Sequence, residues 1–287
     1  MKNILFTSYG YNDKDVSESF TSYCLTKQID GHYDYTVYTK DAYVGKNVVN
    51  IKTVPFFQKL GYYRALKWDY FEFILKAYSQ AKKDINNYDL IHHISPISFR
   101  YHNPLSKLDK PFIWGPVGGS LPYPKGFERI ENKDSLVCKL RKMDTFRLKH
   151  DPILNSTMRR SERIVVTCRD AKRLIPEHYQ EKTVIIPEGI NIEPETSSNE
   201  LDENYIFSSG RLVPYKALDL LIESFSKIKN QTIELWITGK GREAENLKRI
   251  AAESNVGSRV KILGAVSKQE NIELLRRSKL CVFPALN

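Results

Sequence analysis

Short apolar runs alternate with amphipathic stretches from the first residues onward. The runs at 3–8, 35–39, 48–54, 89–94, 111–115, 163–168 and 183–187 have strand length and are rich in Ile, Val, Phe and Tyr. Between them, 16–29, 64–83, 136–148 and 170–175 read as helices. Strands alternating with helices predict βαβ units, whose right-handed crossovers give a parallel sheet covered on both faces. Residues 193–200 are polar and acidic without periodicity, which reads as a linker. The alternation then restarts, with strands at 205–209, 233–238, 260–263 and 280–283 and helices at 217–227, 242–253 and 268–277. Leu220, Leu221, Phe225 and Ile228 fall on one helical face, and Ser267-Lys268-Gln269-Glu270 has the form of a capping box. The pattern therefore predicts two tandem doubly wound α/β domains, 1–192 and 205–287, joined by a linker at 193–204. The second ends on a strand with no returning crossover, so it reads as incomplete.

Composition narrows the partners. The chain carries 44 Lys and Arg against 34 Asp and Glu, a net charge of +10, which favours an anionic partner. Cys24, Cys138, Cys168 and Cys281 lie far apart with no Cys-x-x-Cys pair, which argues against a zinc ribbon or a disulfide scaffold and for a reducing compartment. Met1-Lys2-Asn3 runs straight into Ile4-Leu5-Phe6, too short for a signal-peptide core. No apolar run approaches the roughly 18 residues of a transmembrane helix. The expectation is a cytoplasmic protein whose membrane contact, if any, is peripheral.

Candidate chemistry gathers at strand ends. Gly210-Arg211-Leu212-Val213-Pro214-Tyr215-Lys216 follows the first strand of the second domain, on the edge where open α/β sheets bind ligands. Gly210 lets backbone approach a ligand, Arg211 offers a planar fork of donors, and Lys216 adds a point charge near a helix start. Together they describe a diphosphate clamp; two solvated side chains on a basic loop are the plainer alternative. Gly239-Lys240-Gly241 ends the next strand and gains weight only by sharing that edge, since a tight turn alone explains it. Trp114-Gly115-Pro116-Val117-Gly118-Gly119-Ser120 closes a strand of the first domain, and so many glycines favour a loop that touches a ligand through main chain. His92 and His93 end another strand. Adjacent strand residues point to opposite faces, so at most one can line a given cleft, and a two-histidine metal site is disfavoured. One buried and one exposed histidine is an equal alternative to a substrate contact.

Two stretches bear on larger partners. Lys139, Arg141, Lys142, Arg147, Lys149, Arg159 and Arg160 interleave with Leu140, Met143, Phe146, Leu148, Ile153 and Leu154. Such a segment can lie on anionic lipid, although most of its apolar stripe is expected to pack into the protein. The aromatic run Phe56, Phe57, Tyr62, Tyr63, Trp68, Tyr70, Phe71 and Phe73 is expected mainly as core or lid packing.

Gly210-Arg211-Leu212 through Lys216 to Asp219-Leu220-Leu221-Ile222, then Ile237-Thr238-Gly239, Val260-Lys261-Ile262-Leu263-Gly264 and Val282-Phe283-Pro284, resembles the retaining glycosyltransferases of family four, the glycosyl transferases group 1 with two Rossmann-like domains of GT-B type. Ile186-Pro187-Glu188-Gly189-Ile190-Asn191 is similar to the family's segment linking the domains, and 114–119 to a glycine-rich loop of some bacterial members. The resemblance implies transfer of a sugar, with retention, from a nucleoside-diphosphate donor to a glycan or lipid-linked acceptor in bacterial surface polysaccharide synthesis. It implies that Arg211 and Lys216, with Gly210 and Gly239 beside them, hold the donor diphosphate without a metal or other cofactor. Gly118 and Gly119 would approach the transferred sugar, and His92 or His93 would touch donor or acceptor. No nucleic-acid-binding motif is present, so nucleic acid is not an expected partner; peripheral contact with an anionic membrane at its inner face rests on the basic amphipathic segment alone. The chain departs from the family pattern in three places. Ser8-Tyr9-Gly10-Tyr11-Asn12 lacks the usual glycine pair, Ala217 stands where glycine commonly follows the lysine, and the paired-glutamate motif would fall beyond Asn287. The sequence thus reads as a C-terminally truncated member, and a non-catalytic homologue that binds only nucleotide or a partner is the alternative.

Overall fold

The computed structural model of the chain describes residues 1–14, 18–41, 43–54, 69–119, 121, 123–127, 135–187 and 203–286, without the side chains of 135–140. The linker at 193–200, most of 186–191 and the aromatic positions Phe56, Phe57, Tyr62, Tyr63 and Trp68 lie outside these residues. The chain divides into two units, Met1–Leu121 with Leu140–Ile192, and Pro122–Lys139 with Glu193–Asn287. Thus 122–139, placed in the first domain by the sequence reading, groups with the second unit.

The first unit holds strands β1 (Asn3–Ser8), β2 (Asp34–Thr39), β3 (Val48–Asn50), β4 (Leu90–Ser95), β5 (Phe112–Val117), β6 (Arg163–Val166) and β7 (Thr183–Ile185). They form one parallel sheet in the order β3-β2-β1-β4-β5-β6-β7. Its helices are α1 (Glu18–Gln28), α2 (Asp69–Asp84), α3 (Ser135–His150, of which 140–150 belong to this unit), α4 (Pro152–Arg160) and α5 (Arg169–Leu174). Both faces of β1 are buried: Leu5 joins a cluster with Phe73, Ile74 and Ile91, while Ile4 and Phe6 join Tyr35, Val37 and Ile94 on the other side. Continuous apolar runs of this kind are what a doubly covered parallel strand requires. Tyr70 and Phe73 of the aromatic run are core residues of α2.

One helix was not anticipated. Asp151 caps α4 by accepting from the amides of Ile153 and Leu154, and Pro152 takes the first helical position. That pairing ends α3 and restarts a helix within a single residue.

The second unit holds β8 (Glu203–Ser209), β9 (Glu234–Thr238), β10 (Val260–Gly264) and β11 (Ser278–Cys281), a parallel sheet in the order β10-β9-β8-β11. Helices α6 (Leu218–Phe225) and α7 (Ala244–Glu253) supply Leu221, Ile222, Phe225, Leu247 and Ala251 to a core over Ile206, Leu235 and Ile237. Helix α8 (Lys268–Arg277) is capped by Ser267, whose hydroxyl accepts from the Glu270 amide at 3.1 Å. It is tied to the sheet by the Tyr205 hydroxyl, which donates to the Leu274 carbonyl at 2.7 Å. The terminal strand β11 therefore has a place: it pairs with β8 on the side away from β9.

Candidate functional site

In the second sheet the strand order reverses between β8 and β11, so the loops leaving those two strands diverge and open a crevice. Ser208, Ser209, Gly210, Arg211, Lys216, Leu218, Phe283, Pro284 and Ala285 line a concavity there. The loop after β8 is held by backbone bonds: the Gly210 amide donates to Thr238 at 3.1 Å and the Leu212 amide to Lys240 at 3.0 Å. From below, Asn271 of α8 accepts from the hydroxyls of Ser209 at 2.8 Å and Thr238 at 2.9 Å.

Arg211 and Lys216 converge on this concavity around one ring. The Arg211 guanidinium donates to the Tyr215 hydroxyl and its carbon lies 5.7 Å from the ring centroid; Lys216 Nζ lies 5.5 Å from the same centroid. Among the described residues neither cation forms an ion pair with a carboxylate. Partial burial, and then the Arg211 charge, hold the Lys216 ammonium below the usual lysine range. Two like charges held beside one ring at a concave strand edge are the arrangement that an anionic group can neutralise.

The glycines divide by what surrounds them. Gly210 has φ +150, and a Cβ there would meet only Lys216 Cε, at 4.0 Å, so its role is conformational. Gly239 has φ +132, and a Cβ there would overlap the Gly210 carbonyl; one on Gly241 would overlap the Leu212 carbonyl. The Gly239-Lys240-Gly241 turn is thus the bed on which the Arg211 loop lies. Ala217 occupies the left-handed region with φ 50 and is fully buried, a conformation that costs an L-residue about 1–2 kcal/mol. This backbone demand explains the preference for glycine after the lysine.

The remaining candidates belong to the first unit. His92 and His93 sit within β4 on opposite faces. His92 packs against Phe6 with ring centroids 5.4 Å apart, and its Nε2–H donates to the Gly115 carbonyl at 2.7 Å. His93 is 1% exposed, with Nδ1 2.9 Å from the Thr7 hydroxyl and Nε2 without a partner. Burial lowers the pKa of His92 to about 4 and, with the neighbouring His92, that of His93 to about 3. Both rings are neutral at physiological pH, and His92 bonds the neighbouring strand β5. Gly118 is buried where a Cβ would stand 2.6 Å from the Thr167 hydroxyl, whereas Gly119 is exposed at φ +70. Ser120 lies outside the described residues.

Three features of these sites escaped the sequence reading. Phe283–Ala285 reaches the concavity only because β11 pairs with β8, which no local pattern encodes. Tyr215, the ring between the two cations, was legible only as a residue inside the loop. In the first sheet the order reverses between β1 and β4, where the Ser8 and Ser95 hydroxyls lie 3.1 Å apart. Beside it Lys40 bonds both Tyr9 and Asp69 at 3.0 Å. Among the described residues no three His, Cys, Asp or Glu gather as a metal cradle, and no helix is long and apolar enough to cross a membrane.

A family model described as glycosyl transferases group 1 matches residues 190–287, the segment that carries the Arg211–Lys216 loop. The family segment therefore contains the whole concavity. The chain is 24% identical over 169 residues to the uncharacterized glycosyltransferase YqgM of Bacillus subtilis, covering 58% of this chain and 46% of that protein. It is 26% identical over 125 residues to an uncharacterized glycosyltransferase of Methanocaldococcus jannaschii, covering 44% and 34% respectively. The matched segments thus span less than half of these relatives. Among solved structures, the lipopolysaccharide outer core galactosyltransferase WaaB superposes with a TM-score of 0.59 at 13% identity, over 97% of this chain and 73% of that one. HepE of Anabaena, solved with UDP and glucose, gives 0.57 at 14% identity over 98% and 73%. These likenesses are of fold: an α/β chain with two parallel sheets, the class of the GT-B glycosyltransferases.

Proposed function

We propose that this chain binds a nucleoside-diphosphate sugar, with the diphosphate gripped by Arg211 and Lys216, and transfers the sugar with retention to a glycan or lipid-linked acceptor in surface polysaccharide synthesis. The observation that carries the reading is the pair of cations that find no carboxylate partner among the described residues, at the reversal between β8 and β11. Breaking the bond between sugar and phosphate leaves charge on the departing nucleoside diphosphate. A guanidinium and an ammonium already fixed at that position stabilise it without reorganising during the reaction. The lowering of the Lys216 pKa by burial and by Arg211 fits this role, because a bound polyanion opposes both effects. The uridine diphosphate and glucose bound to HepE, and the lipopolysaccharide role of WaaB, supply the class of donor and acceptor by analogy of fold.

The test is thermal unfolding of the chain with UDP, GDP and ADP and with their glucose conjugates. A rise in Tm with at least one nucleotide supports the reading, since a ligand bound only to the native state stabilises it by mass action. No shift with any of them refutes it. Turnover of the bound donor then separates an enzyme from a module that only binds nucleotide.

A further inference from the structure

Tyr215 lies beside both cations on a backbone that is tied from two sides. Pro214–Lys216 form a single tight turn that opens on a proline, whose ring fixes φ. The Ala217 amide closes that turn on the Pro214 carbonyl at 2.9 Å, and the Lys216 amide donates to the Val213 carbonyl at 3.0 Å. The Tyr215 carbonyl accepts from the Leu286 amide at 3.0 Å, which links the turn to the segment that carries Phe283–Ala285 along the same concavity. The side chain is half-buried. A phenol on so fixed a main chain has little freedom left to lose.

Arg211 is the opposite case: a long, rotamer-rich side chain exposed at a strand end. A terminal nitrogen of its guanidinium donates to the Tyr215 hydroxyl, and the guanidinium carbon stands 5.7 Å from the ring centroid. A guanidinium carries its donors in one rigid plane, so a bond from a single terminal nitrogen orients the whole fork and leaves the other donors for an anion. An arginine without that bond would have to be immobilised as the ligand arrives, at a cost in affinity.

We propose that Tyr215 is a positioning residue of the anion site: its hydroxyl orients the Arg211 guanidinium before a ligand binds, so that the diphosphate meets an ordered fork. The inference rests on the nucleoside-diphosphate reading above and adds the group through which the loop presents its charge. A tyrosine that only packed the turn would need no hydroxyl bonded to the guanidinium, and its loss would be felt equally with or without Arg211.

Calorimetric titration of UDP and GDP into the parent chain, Tyr215→Phe, Arg211→Ala and the combined variant tests it. Tyr215→Phe keeps the ring and should weaken binding of the preferred nucleotide about fivefold, the cost of ordering one long side chain during association. In the Arg211→Ala background the same substitution should change affinity by less than about twofold, because the group it positions is gone. A second measurement needs no ligand. The order parameter of the Arg211 side-chain Nε–H group, from nitrogen relaxation of the nucleotide-free chain, should fall in Tyr215→Phe. Circular dichroism and the Tm of each variant check that the fold is kept. An Arg211 side chain equally mobile in parent and Tyr215→Phe overturns the proposal. Unchanged or tighter binding by Tyr215→Phe, or the same loss with and without Arg211, also overturns it, and each of these outcomes leaves the diphosphate reading standing. Binding of neither nucleotide to the parent chain removes that reading and the proposal together.

Discussion

Acidification should unfold the first unit through two imidazole rings of β4. His92 and His93 are held neutral in β4, with pKa values lowered to about 4 and about 3 by burial. An imidazole in the unfolded chain titrates near 6.5. Below that value the unfolded state takes up protons that the native state refuses, so stability is fully present above about pH 6.5 and is lost as pH falls toward 4. Between pH 7 and pH 5 each ring then costs about 2 kcal/mol, or about 4 kcal/mol for the pair, a large part of a typical domain's stability. The double variant His92→Gln, His93→Gln removes this term, and a glutamine amide at 92 keeps a donor for the Gly115 carbonyl. Urea unfolding at pH 7, 6 and 5, followed by circular dichroism, gives the difference in stability between the variant and the parent chain. The variant should start out less stable at pH 7, because it alters packing, and should gain on the parent by about 4 kcal/mol by pH 5. Parallel losses in both proteins would refute the assignment of neutral, buried imidazoles.

Gly239→Ala should cost about 1–3 kcal/mol from its φ alone, and should abolish nucleotide binding by displacing the loop that carries Arg211; denaturant midpoints and calorimetry read the two effects. Ala217→Gly should change stability by less than about 1 kcal/mol, because relief of the left-handed backbone is offset by a lost buried methyl and a freer unfolded chain. Asp144→Ala should cost about 3–5 kcal/mol by leaving Arg100 without its buried partner, seen as a lower Tm with nucleotide binding retained in the folded fraction.

The alternation of apolar runs made most of both sheets legible, and β1 matches its expected bounds of 3–8. Strand β3 is shorter than its apolar pattern because only 48–50 pairs with β2. Helix α4 was missed although Asp151-Pro152 spelled its start, since the basic and apolar residues around it read as one continuous segment. The Arg211–Lys216 loop was legible because it follows a strand directly. Its neighbours were not: Phe283–Ala285 arrives through a pairing between residues far apart in sequence, and the closeness of Gly239 to the Gly210 carbonyl is a tertiary contact beyond the tight turn that the local pattern offered. Alternation along β4 placed the two histidines on opposite faces, yet their burial depends on α2 and on the packing of Phe6 and Tyr70, which no local pattern records.

The central claim is that Arg211 and Lys216 hold a diphosphate, and calorimetric titration of UDP and GDP into the parent chain, Arg211→Ala and Lys216→Met tests it most directly. Each substitution should weaken binding of the preferred nucleotide by about tenfold or more, the loss of a charge-assisted bond. Affinity in the parent should begin to fall at a lower pH than an ordinary lysine would give, because Lys216 is depressed in the empty site. Nucleotide affinity that is the same in the parent and both variants would contradict the account.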